Sequence, residues 1–276
     1  MKTVPGQLRG NAVKCAPCLA MTATGINEEI DEIKVDLGLR QHNTVVIKCN
    51  PVQNQFKFVR VQRPPNIYGS FGCETSAGGF QPGLVDLLNK LHLDNYVKKV
   101  TSGEPVKKSI WFFRNEDDIA DVYDALCKRL PEQSNDPLTC PFVMNHSNIG
   151  PVTAESYRRR KDQINLYLST SVMLLGLDLS NIDIIGIVRP LNMLHYLIQA
   201  AGRGGRNTGT GQRRRVACYL LWNKSDIGSN VPGISDEVRE FCETKSCLKE
   251  YLMNYFDSNN TVASSADPDW CCSNCD

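Results

Sequence analysis

The sequence predicts an α/β fold in which helices cover both faces of a parallel sheet, with a small helical unit appended. Between residues 84 and 228, short apolar segments of strand length alternate with helical segments. This alternation is typical of parallel strands joined by crossover helices and buried on both faces. After Asn230 it stops, and two helical segments lead into a cysteine-rich stretch.

The first part of the chain is less regular. Residues 27–39 repeat apolar side chains at helical spacing, whereas residues 64–83 are so rich in Pro and Gly that we interpret them as a linker or surface loop. Three short apolar runs are strand candidates: 16–22, 44–49 and 56–61.

The regular part supplies the remaining elements, which we assign from apolar runs and from helical periodicity. Its strand candidates are 109–113, 141–145, 164–170, 183–188 and 215–221. Its helix candidates are 84–93, 117–130, 153–162 and 193–201. The appended unit is predicted to contain two helices, 236–243 and 247–256.

Composition excludes several classes of protein. With 31 Lys and Arg against 30 Asp and Glu, any charge that binds a partner must be local. No apolar run approaches the roughly 20 residues of a membrane-spanning helix, and no secretory signal opens the chain. We therefore expect an intracellular protein in a reducing compartment, where its 12 cysteines point to metal before disulfides.

The most informative segment is Gln-Ala-Ala-Gly-Arg-Gly-Gly-Arg at residues 199–206, where a predicted helix enters a glycine-rich turn. Arginine forks suit phosphate oxygens, and glycines allow close backbone approach and positive φ. We expect the turn near the carboxyl ends of strands, where ligands of open α/β sheets gather. The alternative is that Arg203 and Arg206 are surface side chains on a flexible turn.

The pattern Gln-x-x-Gly-Arg-x-Gly-Arg resembles motif VI of superfamily 2 helicases, and Gly-Arg-Gly-Gly-Arg-Asn is particularly similar to the RecQ-like branch. The resemblance implies a RecA-like second motor lobe. Gln199, Arg203 and Arg206 would then face ATP bound on the other lobe, with Gly202 beside the nucleotide. Arg206 would be the arginine finger, a group that contributes about 10³ to 10⁵ in rate in other phosphate-hydrolysing enzymes.

Upstream, Leu-Ala-Met-Thr-Ala-Thr at residues 19–24 resembles motif III of the same helicases. The resemblance implies that Thr22 and Thr24 couple the catalytic carboxylates of the first lobe to the nucleic acid. The alternative is a strand end whose hydroxyl groups satisfy local backbone groups.

Residues 169–178 resemble motif V, although Leu174 replaces the first glycine of that motif. The resemblance implies that Thr170 contacts a phosphate of the tracked strand and that Gly176 and Asp178 shape the turn beside motif VI. A buried strand followed by a tight loop is the alternative.

Two other strand ends carry candidates for DNA binding. Ile-Trp-Phe-Phe-Arg-Asn, which contains Arg114, is similar to motif IV, and Asn-His-Ser-Asn resembles the Tyr-His-Ser segment of the family through His146 and Ser147. A buried apolar strand and a structural histidine at a strand end would account for the same residues.

The cysteines near the last residue resemble the zinc-binding platform of RecQ helicases. A structural zinc ion takes four N or S ligands in a tetrahedron, and Cys247, Cys272 and Cys275 are readily nominated. We include Cys271 as the fourth ligand, although its position next to Cys272 implies an awkward geometry. Cys242, or a cysteine beyond the last residue, is the alternative, and unrelated buried or free thiols are another.

The sequence contains no P-loop of the form Gly-x-x-x-x-Gly-Lys-[Ser/Thr] and no Asp-Glu box of the family type. The resemblance assigns the ATP and Mg²⁺ sites mainly to a first lobe. Residues 1–50 would be the remnant of that lobe, 51–230 the second lobe, and 231–276 a truncated zinc platform. We expect the chain to be inactive alone.

The function implied by the resemblance is ATP-dependent DNA unwinding with 3′–5′ polarity in nuclear repair and recombination. Its nucleic-acid partner would be single-stranded or partly duplex DNA. The alternatives are a non-catalytic module that binds nucleic acid or protein, a degenerate copy, and a different superfamily 2 translocase or RNA helicase.

Overall fold

In the computed structural model the chain builds a six-stranded sheet in which every neighbouring pair of strands is parallel. The structure describes residues 20–22, 25–39, 45–46, 55–64, 71–74, 80–81, 83–171, 179–206, 214–256 and 270–276. Most of the strand candidates 16–22 and 44–49 lies outside these residues, and the described parts, 20–22 and 45–46, form no strand.

The six strands agree with the sequence prediction to within two residues at each end. They are β1 (Phe56–Gln62), β4 (Lys108–Phe113), β5 (Phe142–Asn145), β6 (Leu166–Ser169), β7 (Ile182–Val188) and β8 (Val216–Trp222). Their order in the sheet is β1-β8-β7-β4-β6-β5. The predicted loop contains a small antiparallel pair, β2 (Cys73–Glu74) and β3 (Phe80–Gln81).

Strand β1 belongs to this sheet although it precedes the regular alternation of strands and helices. It pairs with β8 from Phe56 opposite Val216 to Gln62 opposite Trp222. The regular alternation of strands and helices that starts at residue 84 therefore does not include this strand of the sheet. The described residues between 63 and 83 contain no helix that would extend the alternation back to β1.

Most helices of the described residues lie close to a predicted helix, but two of them, Asp94–Ser102 and Pro131–Ser134, were not predicted. The helices are α1 (Asn27–Asp36), α2 (Leu84–Leu88), α3 (Asp94–Ser102), α4 (Glu116–Arg129), α5 (Pro131–Ser134), α6 (Pro151–Arg159), α7 (Leu194–Ala201), α8 (Asp236–Glu243) and α9 (Leu248–Tyr255). None of these helices combines the length and the apolar character needed to cross a bilayer.

The helical path that begins at residue 84 is longer in the structure than the predicted helix over 84–93. A π-helical segment, Asn89–Leu93, joins α2 directly to α3, and the helical path stops only where Gly103 adopts φ 70° as a left-handed cap. Tyr96 continues the buried face beyond residue 93, so packing extends the helix past the predicted boundary.

Alternate side chains of β4 point to two separate cores, one on each face of the sheet. Ile110 and Phe112 join a cluster that includes residues of α7, α8 and α9. Trp111 and Phe113 join a second cluster built with α2, α3 and α4. Since successive residues of a strand face opposite sides, helices cover both faces, and the predicted fold class is confirmed.

The second core requires a glycine in the middle of the sheet. A Cβ atom at Gly186 of β7 would lie 2.0 Å from Cε3 of Trp111. The indole, which is buried, stacks on the ring of Tyr219 with centroids 6.2 Å apart. The absent side chain of β7 thus makes room for the largest side chain of β4.

Candidate functional site

The arginine-glycine turn, residues 202–206, begins where α7 ends. The backbone N–H groups of its first three residues donate to carbonyl groups in the last part of α7 over 2.8–3.0 Å. Gly205 then adopts φ 65° and donates its N–H to the carbonyl of Ile182 over 2.9 Å. The turn is therefore fastened both to its own helix and to the sheet.

Two glycines of the turn lie where no side chain fits. A Cβ atom at Gly204 would be 2.5 Å from Cγ1 of Val216, and one at Gly205 would be 2.7 Å from the carbonyl oxygen of Arg214. The spacing of the glycines in the sequence therefore reflects close packing of the turn on the sheet.

The turn lies at the amino-end edge of the sheet, so the prediction that it lies near the carboxyl ends is wrong. Its anchors, Ile182 and Val216, are the first residues of β7 and β8. The reason is topological: α7 follows β7 and runs back along it, which returns the chain to the edge where β7 started.

The predicted nucleotide-facing residues all lie in the last turns of α7 or in the turn that follows it. Gln199 and Arg203 are half-buried and four residues apart along the end of α7, while Arg206 is exposed. Arg206 donates from Nε to the carbonyl of Gly202 over 2.9 Å. Two guanidinium groups on one anchored corner can bind an oxyanion presented from outside this lobe.

Of the predicted coupling residues Thr22, Thr24, Gly176 and Asp178, the structure describes Thr22. Thr22 is exposed and shortly precedes α1, whose Glu29 Oε1 lies 3.8 Å from Nδ1 of His195 on α7. The other three lie outside the described residues: Thr24, Gly176 and Asp178.

The predicted DNA-binding residues gather at the carboxyl-end edge, opposite the arginine-glycine turn. Arg114 follows β4, His146 and Ser147 follow β5, and Thr170 follows β6. These three strands are neighbours in the sheet, so their carboxyl ends are adjacent. Parallel strands bring together four residues that are up to 56 positions apart in the sequence.

An acidic side chain lies among these residues. The hydroxyl of Ser147 donates to Glu116 over 3.4 Å, and Nδ1 of His146 lies 3.7 Å from the same carboxylate. The N–H of Thr170 donates to the carbonyl of Asn145 over 3.1 Å. The negative charge of Glu116 repels a phosphate that approaches this edge, and it therefore lowers the affinity of the edge for nucleic acid.

Two ion pairs stabilise the same edge, and sequence reasoning missed them. Arg63 donates from Nε to the buried carboxylate of Asp226 over 2.7 Å. Arg189, which has φ 68°, donates from Nε to Asp118 over 2.8 Å. The partners are 163 and 71 residues apart, so no local pattern reveals them.

The four nominated cysteines form one cluster. The sulfur atoms of Cys247, Cys271, Cys272 and Cys275 all lie within 4.8 Å of one another. Three of the distances are 3.5, 3.5 and 4.0 Å. Ligands at about 2.3 Å in a zinc tetrahedron are ~3.8 Å apart. The cluster therefore fits a tetrahedral metal site and could hold a metal ion.

The expected awkward geometry of Cys271 is wrong, because both of the adjacent thiols reach the cluster. Within the cluster, Cys272 is buried and Cys271 is half-buried. Burial raises the pKa of Cys271 to about 11. Burial also opposes ionisation of Cys272, but N–H donors from Leu248 and Asn274 hold the pKa of that thiol below its ordinary value. A lowered thiol pKa favours the thiolate that binds a metal.

No protein-family model matches the chain, and no curated protein matches it. Solved structures match it at low identity and with TM-scores below 0.5. The Mycobacterium smegmatis helicase Lhr bound to single-stranded DNA and AMP-PNP is 16% identical over 62% of this chain, with a TM-score of 0.43.

Two further structures are similar to a comparable degree. Domain 2 of the DEAD-box helicase Mss116p, bound to an RNA duplex, is 16% identical over 67% of this chain and 66% of its own, with a TM-score of 0.42. S. cerevisiae Dbp5 bound to RNA and ADP BeF3 is 14% identical over 85% of this chain, with a TM-score of 0.47. The chain spans 20% of Lhr and 48% of that Dbp5 chain.

Proposed function

We propose that this chain contributes the second motor lobe of an ATP-driven nucleic-acid helicase of the RecQ type. In this proposal residues 51–230 form the lobe, 231–276 form a zinc-binding platform, and 1–50 are the remnant of a first lobe. The observation that carries it is the anchored arginine-glycine turn, which presents Arg206 to solvent at the amino-end edge of the sheet.

The anchoring favours a functional turn over a flexible surface loop. Because Gly204 and Gly205 pack against the first residues of neighbouring strands, the position of Arg206 is set by the sheet. A guanidinium held in advance where charge develops stabilises a transition state without reorganisation. A surface arginine on a loop would need neither the positive φ nor the close packing.

The nucleotide itself would be held by a different lobe. A P-loop, which supplies amide groups and a lysine to the phosphates, does not occur in the 276 residues. Arg206, supported by Arg203 and Gln199 and by the turn at Gly202, would therefore act across an interface on ATP and Mg²⁺ bound elsewhere.

Nucleic acid would lie along the opposite edge of the sheet. Arg114, His146, Ser147 and Thr170 are adjacent there, at the ends of β4, β5 and β6. Hydroxyl and guanidinium groups at such an edge suit phosphate contacts. The choice of DNA, the 3′–5′ polarity, the nuclear location and a role in repair are supported by the sequence resemblance alone.

The metal of the platform would be zinc. Four thiolates in a tetrahedral arrangement are the ligand set of a structural zinc site, in which no position is left for a substrate. Zinc at Cys247, Cys271, Cys272 and Cys275 would join α9 to the last residues of the chain.

The arginine-finger role can be tested by joining this chain to the P-loop lobe of a RecQ helicase. We expect DNA-stimulated ATP hydrolysis in the fusion and only background in the chain alone. Arg206→Ala should lower kcat of the fusion by about 10³ with little change in nucleotide binding. The control is Arg158→Ala, which removes an exposed guanidinium that pairs with Glu155 on α6.

Equal kcat in the Arg206 variant and the parent fusion would contradict the arginine-finger role. The second candidate function, a non-catalytic nucleic-acid-binding module, would then be favoured. The lack of a P-loop in the sequence already supports that candidate.

A further inference from the structure

The last residues of the chain lie along the free edge of β1, the terminal strand of the sheet. Phe58 donates its N–H to the carbonyl of Cys271 over 3.3 Å, and Ser273 donates its N–H to the carbonyl of Phe58 over 2.9 Å. Phe58 and Cys272 form a parallel bridge. The segment 271–275, here called the knuckle, thus covers backbone groups that an edge strand would otherwise expose.

Arg60, two residues further along β1, attaches the knuckle a second time. Its N–H donates to the hydroxyl of Ser273 over 3.1 Å, and its Nη2 donates to Oδ1 of Asn274 over 2.8 Å. The same guanidinium donates to the carbonyl groups of Phe241 over 3.0 Å and Thr244 over 2.6 Å.

Arg60 therefore joins three separate parts of the fold. Phe241 lies in the last turn of α8 and Thr244 follows it, where carbonyl groups have no partner within the helix. The half-buried side chain of Arg60 donates hydrogen bonds to those carbonyl groups and also to the loop between Cys272 and Cys275.

Once a metal ion is bound, charge also favours the position of Arg60 beside the knuckle. Four thiolates around a divalent ion carry an excess of two negative charges. The guanidinium of Arg60 lies on one side of the knuckle, and Nζ of the buried Lys249 donates to the carbonyl of Trp270, the residue before Cys271, over 2.9 Å. Groups behind the ligands orient them and tune metal affinity.

We infer that Arg60 is a positioning residue for the metal site, which holds the knuckle against β1 so that its cysteines meet Cys247. Through this contact, metal binding and the stability of the sheet are coupled. The inference rests on the zinc site in the proposed function, and it adds a residue far from the cysteines in sequence to that site.

The test uses the full chain with Co²⁺ as a spectroscopic probe of the thiolate site and with a competing chelator to measure affinity. We expect Arg60→Ala to weaken Co²⁺ binding by about 10- to 100-fold and to alter the thiolate-to-cobalt absorption. Arg60→Lys keeps the charge but loses the fork, and it should recover only part of the affinity.

The matched control is Arg239→Ala. Arg239 of α8 also donates to several backbone carbonyl groups, those of Ile227, Gly228 and Ile234, but these acceptors lie away from the knuckle in the sequence. We expect this variant to lower thermal stability while leaving Co²⁺ affinity and the absorption spectrum as in the parent.

Thermal unfolding with and without metal separates positioning from a merely structural role. If Arg60 positions the site, metal should raise the Tm of Arg60→Ala by much less than it raises that of the parent. Equal metal-induced shifts together with unchanged Co²⁺ affinity would overturn the inference and leave the zinc site intact. A parent chain that binds no Co²⁺ through thiolates would overturn both.

A second variant keeps the test decisive if Arg60→Ala does not fold. Asn274→Ala removes the knuckle-side acceptor of Arg60 and also the two hydrogen bonds from Asn274 to the carbonyl groups of Thr244 and Ser246. We expect weaker Co²⁺ binding in this variant as well. Co²⁺ affinity equal to that of the parent would overturn the inference.

Discussion

At the scale of single residues, the arginine-glycine turn depends on glycines as much as on arginines. Gly205 adopts φ 65°, and it lies so close to the segment before β8 that an added Cβ would meet the carbonyl oxygen of Arg214. Both constraints are needed to place Arg206, the next residue, at an exposed corner. The substitution that tests them leaves every arginine in place.

We expect Gly205→Ala to lower the free energy of unfolding by about 3 kcal/mol. Roughly 1 kcal/mol comes from the left-handed backbone, and the remainder comes from overlap with packed neighbours. Gly103→Ala is the control, because Gly103 has φ 70° but nothing within 4 Å of an added Cβ, so it should cost only about 1 kcal/mol. Urea unfolding measures both values, and equal losses would contradict the close packing.

At the scale of the element, the helical path from α2 to α3 shows how packing overrides a local pattern. The π-helical segment Asn89–Leu93 turns His92 toward the second core. There Nε2 of His92 lies 2.9 Å from the hydroxyl of Ser109, and its ring lies 5.7 Å from that of Trp111. Burial lowers the pKa of His92 to about 4.

The stability of the fold should therefore depend on pH through His92. Since its folded pKa is depressed from an unfolded value near 6.5, its contribution is complete above about pH 6.5 and is lost as the pH falls toward 4. Between pH 7 and pH 5 we expect a loss of about 2 kcal/mol. His92→Gln, which does not titrate, should show a correspondingly smaller loss in urea unfolding.

Carboxyl groups titrate over part of the same range in both proteins, so the difference between the two pH profiles is the relevant measurement. Parallel profiles for His92→Gln and the parent would show that His92 does not cause the pH dependence.

The boundary of this helical path was also the poorest helix prediction, because apolar spacing does not reveal a π-helical segment that shifts the buried face.

At the scale of the whole molecule, the sheet separates two groups of predicted site residues. The amino-end edge carries the arginine-glycine turn, and the carboxyl-end edge carries Arg114, His146, Ser147 and Thr170. In the proposed function, the lobe contacts a nucleotide at one edge and a nucleic acid at the other, and the sheet links the two. In this arrangement the turn and the polar strand ends need not touch.

We expect the chain alone to bind single-stranded DNA weakly and in a salt-dependent manner, through the carboxyl-end edge. Arg114→Ala should weaken binding and reduce the slope of log Kd against log salt by about 1. Lys128→Ala is the control, because it removes an exposed charge near the other end of α4. Fluorescence anisotropy of a labelled oligonucleotide measures both, and identical slopes would contradict this location.

Local patterns by themselves predicted the six strands of the large sheet and most helix boundaries, because apolar periodicity is a short-range property of the chain. The arginine-glycine turn and the cysteine set were nominated from short motifs that resemble those of a helicase family. Only the tertiary structure decided which edge holds the turn, that β1 pairs with β8, and that Cys271 reaches the cluster. Each of these depends on contacts between distant segments, as do Arg60 with Asn274 and Arg63 with Asp226. Such contacts form only when the strands pair and the helices pack on both faces of the sheet.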